Sequence, residues 1–415
     1  MFGKKSGKWR RRLLGAIVGG LLIPLVYIWF AGYDCEAPDD SDLTVREEVN
    51  WGPEQEKEFA AFTNVLAFAK DVDLAACSSD DDINHEESMQ ILATNEWVSA
   101  TFDRIAESDT FCFPPIEIYP DKIHSVDVVG WLYGARIKLA VEKGEFEKVL
   151  ELLDRDLRVA EHYLLRGRTF VDYLFGIVIS RITIDELRDL VQRYALPDSV
   201  LRRADERVRS AKGLDCDALF RAYRNAYTWM THYNLLEVRE VLEVREELRR
   251  SFGVASFLFV RYLFQPNRTK AYLCAQLRKE MEMFRTGCCV RPDDKWIHSC
   301  HRMPSWHKFI DREWLGKEMT VGLTVYNHDV HETIAAGLAL RAQIACKRYE
   351  LKYGHRPADI AALVPEFLPE VPLSPCDGKA VTLDLDADKI HIGGCKVEEL
   401  RIGEPTNDAA EEALR

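Results

Sequence analysis

The chain has 415 residues, of which 47% are hydrophobic and 30% charged, and its formal net charge is −13. That much apolar material supports a packed core and excludes a disordered chain. The acidic balance argues against a nucleic-acid partner and against lying flat on anionic lipid. The eleven cysteines are an odd number and are scattered, and a chain of this length needs no disulfide framework to fold.

Residues 1–12 hold Lys4, Lys5, Lys8, Arg10, Arg11 and Arg12 and no acid, which leaves −19 on the rest of the chain. The run from Leu13 to Gly32 is uncharged. As a helix it spans roughly 30 Å, the thickness of a bilayer's hydrocarbon core. Tyr27, Trp29 and Tyr33 stand at its far end, where amphipathic rings favour the interface, and the basic cluster keeps the N-terminus cytoplasmic. A cleaved signal peptide fits poorly, because bulky Trp29 and Phe30 precede Ala31 and Gly32. A lipoprotein signal fits no better, because Asp34 stands before Cys35. Gly15 and Gly19 form a single GxxxG pair, which by itself means no more than a lipid-facing anchor. The reading is a single-pass anchor with the bulk of the chain extracytoplasmic, which in a two-membrane bacterium is the periplasm.

Residues 33–50 read as an acidic linker. Pro53 is placed as a first helical residue, and an amphipathic helix follows it. Further helices are predicted over Glu86 to Ser108, Asp121 to Lys143 and Glu145 to Arg166. Phe111 to Pro120 is irregular because of its prolines. AVEKGEFEKVLELLDRDL resembles the turn and second helix of a tetratricopeptide repeat, but Ile137 and Val149 are bulky where that repeat needs small residues. No second copy follows, so a single helical hairpin is expected. Thr169 to Tyr194 is apolar enough to be central in the core, and Leu196 to Lys212 is a shorter helix opened at Pro197. Asp215 to Phe252 reads as a long, salt-laced helix. Asn267 is a candidate cap for a helix beginning near Pro266. Gly287 to Trp314 is irregular. An Ala-rich helix runs from about Asp329 to Tyr353 and is ended by Gly354. A short helix at Ala358 to Val364, strands at Val381 to Leu385 and Lys389 to Ile392, and a loose tail from Glu398 complete the chain.

Residues Leu338 to Gly378 carry an Ala-rich helix, Tyr349 or Tyr353, Gly354, Pro357, Leu363, then Pro369, Pro372 and Pro375 before an Asp-Gly turn at Gly378. This pattern resembles a segment of type II secretion pseudopilins. In those proteins the membrane helix runs directly into the segment, whereas here the anchor lies some three hundred residues upstream. The layout as a whole resembles an uncharacterised family of membrane-anchored bacterial envelope proteins, with its N-terminal span, the Pro266 to Thr269 stretch and this C-terminal module. The resemblance implies no activity.

Motifs for chemistry are few. His331-Glu332 begins an HExxH zinc motif, but Ala335 stands where the second histidine belongs. His328 and His331 share an i,i+3 spacing that surface histidines commonly have. Cys288, His298, Cys300 and His301 are zinc-competent residue types whose spacing matches no established site, so no metal or other cofactor is assigned. Cys376 and Cys395 flank the predicted hairpin and are the candidate disulfide. There is no GxSxG, Walker or GxGxxG motif. The fold class read from the sequence is mainly α. It comprises a transmembrane helix at 13–32, a hairpin- or bundle-like helical ectodomain at 51–325, and a small α+β module with a β-hairpin at 326–396. A tail at 397–415 follows. The function expected is non-enzymatic interaction with another envelope protein, with catalytic residues unknown. The alternative is an envelope hydrolase whose site assembles from distant residues.

Overall fold

The computed structural model of this protein describes residues 36–44, 51–71, 94–115, 127–211, 216–231, 266–285, 314–384, 389–393 and 400–401. In them the chain is mainly helical, with one small antiparallel sheet. The helices are α1 (Pro53–Asp71), α2 (Glu96–Glu107), α3 (Asp127–Glu142), α4 (Phe146–Arg166), α5 (Phe170–Arg193), α6 (Asp198–Ser210), α7 (Cys216–Trp229), α8 (Pro266–Arg285) and α9 (Trp314–Tyr353). A 3-10 turn, Ile360–Leu363, precedes strands β1 (Thr382–Asp384), β2 (Lys389–His391) and β3 (Leu400–Arg401). The described residues fall into two compact units. One holds 36–44, 227–231, 266–279 and 314–324, and the other holds the remainder. The proposed anchor at 13–32 lies outside the described residues. Among those that are described, no helix is long and apolar enough to cross a membrane.

In the first unit, residues 36–44 are packed down rather than extended. Leu43 is fully buried, and its N–H bonds back to Asp40. The Tyr227 hydroxyl donates to Asp40 at 2.6 Å, and Arg278 donates to the Asp39 carbonyl and the Asp42 carboxylate. An acidic stretch behaves as a linker only where nothing basic or apolar meets it. Here α8 supplies a basic partner, Arg278, and α7 a hydroxyl donor, Tyr227.

The second unit is built on the α4–α5 hairpin. Buried residues on α4 repeat as Val149, Leu152, Leu153, Asp156, Leu157, Ala160, Tyr163 and Leu164, a helical stripe aimed at the core. The α3–α4 turn is a Schellman motif: Glu145 N–H bonds to Ala140 and Gly144 N–H to Val141, with Gly144 at φ 68°. Ile137 and Val149 are both buried beside this turn, so the single hairpin expected there is present. Thr169 and Asp172 make a reciprocal capping box that starts α5. Gly176 lets the two helices approach, because a Cβ there would sit 2.6 Å from Leu164 Cγ. Phe59, Phe62, Phe102, Phe111, Phe113 and Tyr163 close one end of this core with edge-on ring contacts.

Helix α9 belongs to two cores at once. Ala336, Leu340 and Ile344 pack into the helical core. Ala335, Ala339, Ala342 and Cys346 pack against Leu363, Leu368, Val381 and Ile390 of the C-terminal module. Small side chains on the second face let the module lie close. The module's strands pair in the order β1-β2-β3, with Leu383 opposite Ile390 and Ile390 opposite Leu400.

Four expectations need correction. Helix α8 begins at Pro266 itself, so Asn267 lies inside the first turn and is not its cap. Helix α9 begins at Trp314, ahead of Asp329, although Gly316, Gly322 and several Thr and Val residues lower its local propensity. The Ala358–Val364 helix is a single 3-10 turn, capped by the Asp359 side chain on Ala362 N–H. Leu400–Arg401 is a strand rather than loose tail, because Leu400 finds Ile390 across the ladder. The stretches expected as 86–93 of a helix, 232–252 of the long helix and the 287–313 irregular segment lie outside the described residues.

Candidate functional site

The strongest chemistry in the described residues lies where α2, α3, α4 and α5 meet. Asp103 on α2 accepts two parallel bonds from Arg136 at 2.8 Å each, one from Arg155 at 2.9 Å and one from the Tyr133 hydroxyl at 3.2 Å. Burial raises this carboxyl's pKa. The Arg136 bond and charge and the Arg155 charge outweigh that and hold it below the usual carboxylate range. Arg155 also reaches Glu107 and Glu151, so the network ties three helices together.

Deeper in, Asp156 on α4 is fully buried. Its Oδ2 is 2.8 Å from Thr183 Oγ1 on α5, and the same hydroxyl is 2.9 Å from the Ile179 carbonyl. A hydroxyl has one proton and a carbonyl has none to give. When Thr183 donates to Ile179, Asp156 completes the pair only by donating its own proton. Burial, working against the Thr183 bond, raises the Asp156 pKa to about 8, which agrees with a neutral acid at pH 7. Glu186, one helical turn beyond Thr183, is raised well above its ordinary value by burial and by the Asp156 charge. Asp156 Oδ1 and Glu186 Oε2 are sealed from solvent with no hydrogen-bond partner. Gly134 on α3 makes the room, since a Cβ there would sit 2.7 Å from Glu186 Oε1.

His162 is likewise buried, with Nε2 at 2.9 Å from the Ile105 carbonyl, which it meets as a donor. Burial, with the Arg166 charge, lowers its pKa to about 4 and keeps it neutral. A second feature is a cleft of about 170 Å³ beside α9, to which Arg209 and Arg341 contribute.

Cys288, His298, Cys300 and His301, the zinc-competent residues, lie outside the described residues. Among the described residues no cluster of three or more His, Cys, Asp or Glu is placed to hold a metal. His331 is buried in α9 rather than standing on its surface. Cys376 is disulfide-bonded, while Cys395, the partner expected from the sequence, lies outside the described residues. Cys112, Cys274 and Cys346 are not in disulfides. Sequence reasoning missed Asp156, Thr183 and Glu186. Asp156 did leave a signal, as a charged residue in the middle of the stripe Leu152-Leu153-Leu157-Ala160.

Comparison with known families, with characterised sequences and with solved structures returns no match for this chain.

Proposed function

We propose that this is a single-pass, membrane-anchored protein of the cell envelope whose helical domain docks another envelope protein without catalysing a reaction. The observation that carries the docking reading is on α5. Its outward side bears Val171, Leu174, Val178 and Ile182 at helical spacing, with Val171 51% and Val178 43% exposed. Aliphatic residues arrayed along a helix face, rather than scattered singly, mark a surface that meets an apolar partner. Beyond Ile182 the same side turns to charge, with Arg181 and Arg188 both paired to Asp185. The apolar strip therefore has a polar border, as docking surfaces do.

The anchor reading is supported by the uncharged run from Leu13 to Gly32 behind its basic cluster. Docking is favoured over an assembled hydrolytic site because Asp156 and Glu186 face a sealed core and the cleft beside α9 is walled mainly by aliphatic groups. A photo-reactive residue in place of Val178, in the full chain in its own membrane, should yield one recurrent protein adduct. Adducts to lipid alone, or none, would refute docking through this face. Recovery of the intact chain in the soluble fraction without detergent would refute the anchor.

A further inference from the structure

Residues 39–43, Asp-Asp-Ser-Asp-Leu, form a turn built for contact. Leu43 N–H and Thr44 N–H both bond back to the Asp40 carbonyl, and the Ser41 hydroxyl donates to the Asp39 carboxylate at 2.8 Å. Bent this way, the chain turns Leu43 inward, where it is fully buried, while Asp39, Ser41, Asp42 and Thr44 around it are exposed. An apolar side chain sealed in the middle of so polar a run shows that the segment is seated on the first unit rather than passing over it.

Two helices hold the turn. Cys274 on α8 donates to the Tyr227 hydroxyl at 3.2 Å, which leaves the hydroxyl's own proton for Asp40, at 2.6 Å. Arg278, one helical turn beyond Cys274, donates through Nε to Asp42 at 3.0 Å and through Nη2 to the Asp39 carbonyl at 2.7 Å. The Arg278–Asp42 pair is exposed and contributes little alone. Burial of Leu43 and the charge-assisted bond to Asp40 contribute more.

We infer that residues 39–43 are a latch that sets the length of the tether between the membrane and the folded chain. The inference rests on the anchor reading above and is independent of docking through α5. Asp39 lies seven residues beyond Gly32. That is a span of at most about 25 Å, so the fastened turn keeps Tyr227 and Arg278 close to the lipid surface. With the turn released, the next described residue that packs on a core is Trp51, nineteen residues beyond Gly32. The tether then reaches up to about 65 Å. It therefore has two lengths, and the latch selects between them.

The test places the full chain in lipid nanodiscs that carry an energy-acceptor lipid, with a donor dye at position 279, where Lys279 is exposed beside Arg278. Leu43→Ser combined with Arg278→Gln should open the latch while keeping every aspartate and the helical circular dichroism signal. Energy transfer to the lipid should fall in that variant. An endoproteinase that cuts before aspartate should cleave it at Asp40 and Asp42 at least about tenfold faster than the unaltered chain. A Gly/Ser linker of about ten residues inserted after Glu36 lengthens the tether with the latch closed. There transfer should fall while Asp40 and Asp42 stay protected. Equal cleavage of variant and unaltered chain in discs that hold both, or transfer that neither change lowers, would overturn the latch and leave the anchor standing. A chain that stayed outside the discs would refute the anchor, and the tether with it.

Discussion

Asp156→Asn should remove a pH dependence from the stability of the helical core. In the folded chain Asp156 holds its proton up to about pH 8, whereas its ordinary pKa is 3.8. Between those values the folded state binds one proton more than the unfolded state. Unfolding free energy therefore falls as pH rises, by about 1.4 kcal/mol per unit for this group. His162 has the opposite sign. Its pKa falls from 6.5 to about 4 on folding, so its contribution grows as pH rises through that window. The two slopes oppose one another below pH 6.5; above it the His162 contribution is complete, and Glu186, raised like Asp156, adds a slope of the same sign that both proteins share. From pH 6.5 to 8 the aspartate should cost about 2 kcal/mol that the variant does not lose. An asparagine amide can accept from Thr183 Oγ1 through its oxygen or donate to it through its nitrogen, so the contact made by Asp156 Oδ2 survives. Glu186 and Tyr133, the titratable groups facing Asp156, are present in both proteins. Only as Asp156 ionises near pH 8 do they meet a charge at position 156 that the variant lacks. Urea unfolding of the detergent-solubilised full chain, followed by tryptophan fluorescence at several pH values, measures the difference. Parallel stability curves for the two proteins from pH 6.5 to 8 would refute a neutral, buried Asp156.

Two further predictions concern packing and covalent structure. Gly176→Leu should force α4 and α5 apart, because the first carbon alone would sit 2.6 Å from Leu164 Cγ and 3.0 Å from the Ala160 carbonyl. A loss of about 1–3 kcal/mol, read as a lower urea midpoint, is the expected size for overpacking, and an unchanged midpoint would contradict the close approach. Cys376 should resist alkylation in the unfolded, unreduced chain and become labelled together with Cys395 after reduction. Labelling of Cys376 without reductant, or a cross-linked peptide joining it to a different cysteine, would exclude the Cys376–Cys395 pairing.

Much of the helical layout was legible in the sequence because its signals are local and periodic. The α3–α4 hairpin shows in Gly144 between two apolar stripes, and the Ala-rich helix stops at Gly354, whose φ is 73°. What stayed hidden depends on distant partners. The start of α9 at Trp314 could not be read from residues whose own propensities resist a helix. The strand at Leu400–Arg401 is too short to show an alternation and exists because β2 is beside it. The carboxylate pair was harder still. In a chain with 68 acidic residues, Glu186 looks like any other surface glutamate until Gly134 on α3 is seen to make space for it. Asp156 alone broke a stripe, and a broken stripe shows that something polar is buried without showing what it faces. Arg341 and Asp205, far apart in the sequence, meet only when α6 and α9 pack.

The C-terminal module should not fold by itself, and the reason lies in α9. The module's cluster is closed by Ala335, Ala339, Ala342 and Cys346, so the helix cannot be left out of it. The same helix turns Ala336, Leu340 and Ile344 toward the α4–α5 core, and all three are 2% exposed or less. A fragment starting at residue 326 would uncover those residues, and among the described residues its sheet has three short strands. Sheets of that size need a covered apolar face to be stable. The longer chain should show cooperative loss of both clusters together, because one continuous helix carries both. Leu340→Ala tests this from the other side. It removes core packing worth about 2–5 kcal/mol on the helical face, and it should lower protection from hydrogen exchange in β1 and β2 as well as in α4. A fragment 326–415 that melts cooperatively alone, or a Leu340→Ala variant whose strands keep their protection, would show instead that the module is an independent domain attached to a passive helix.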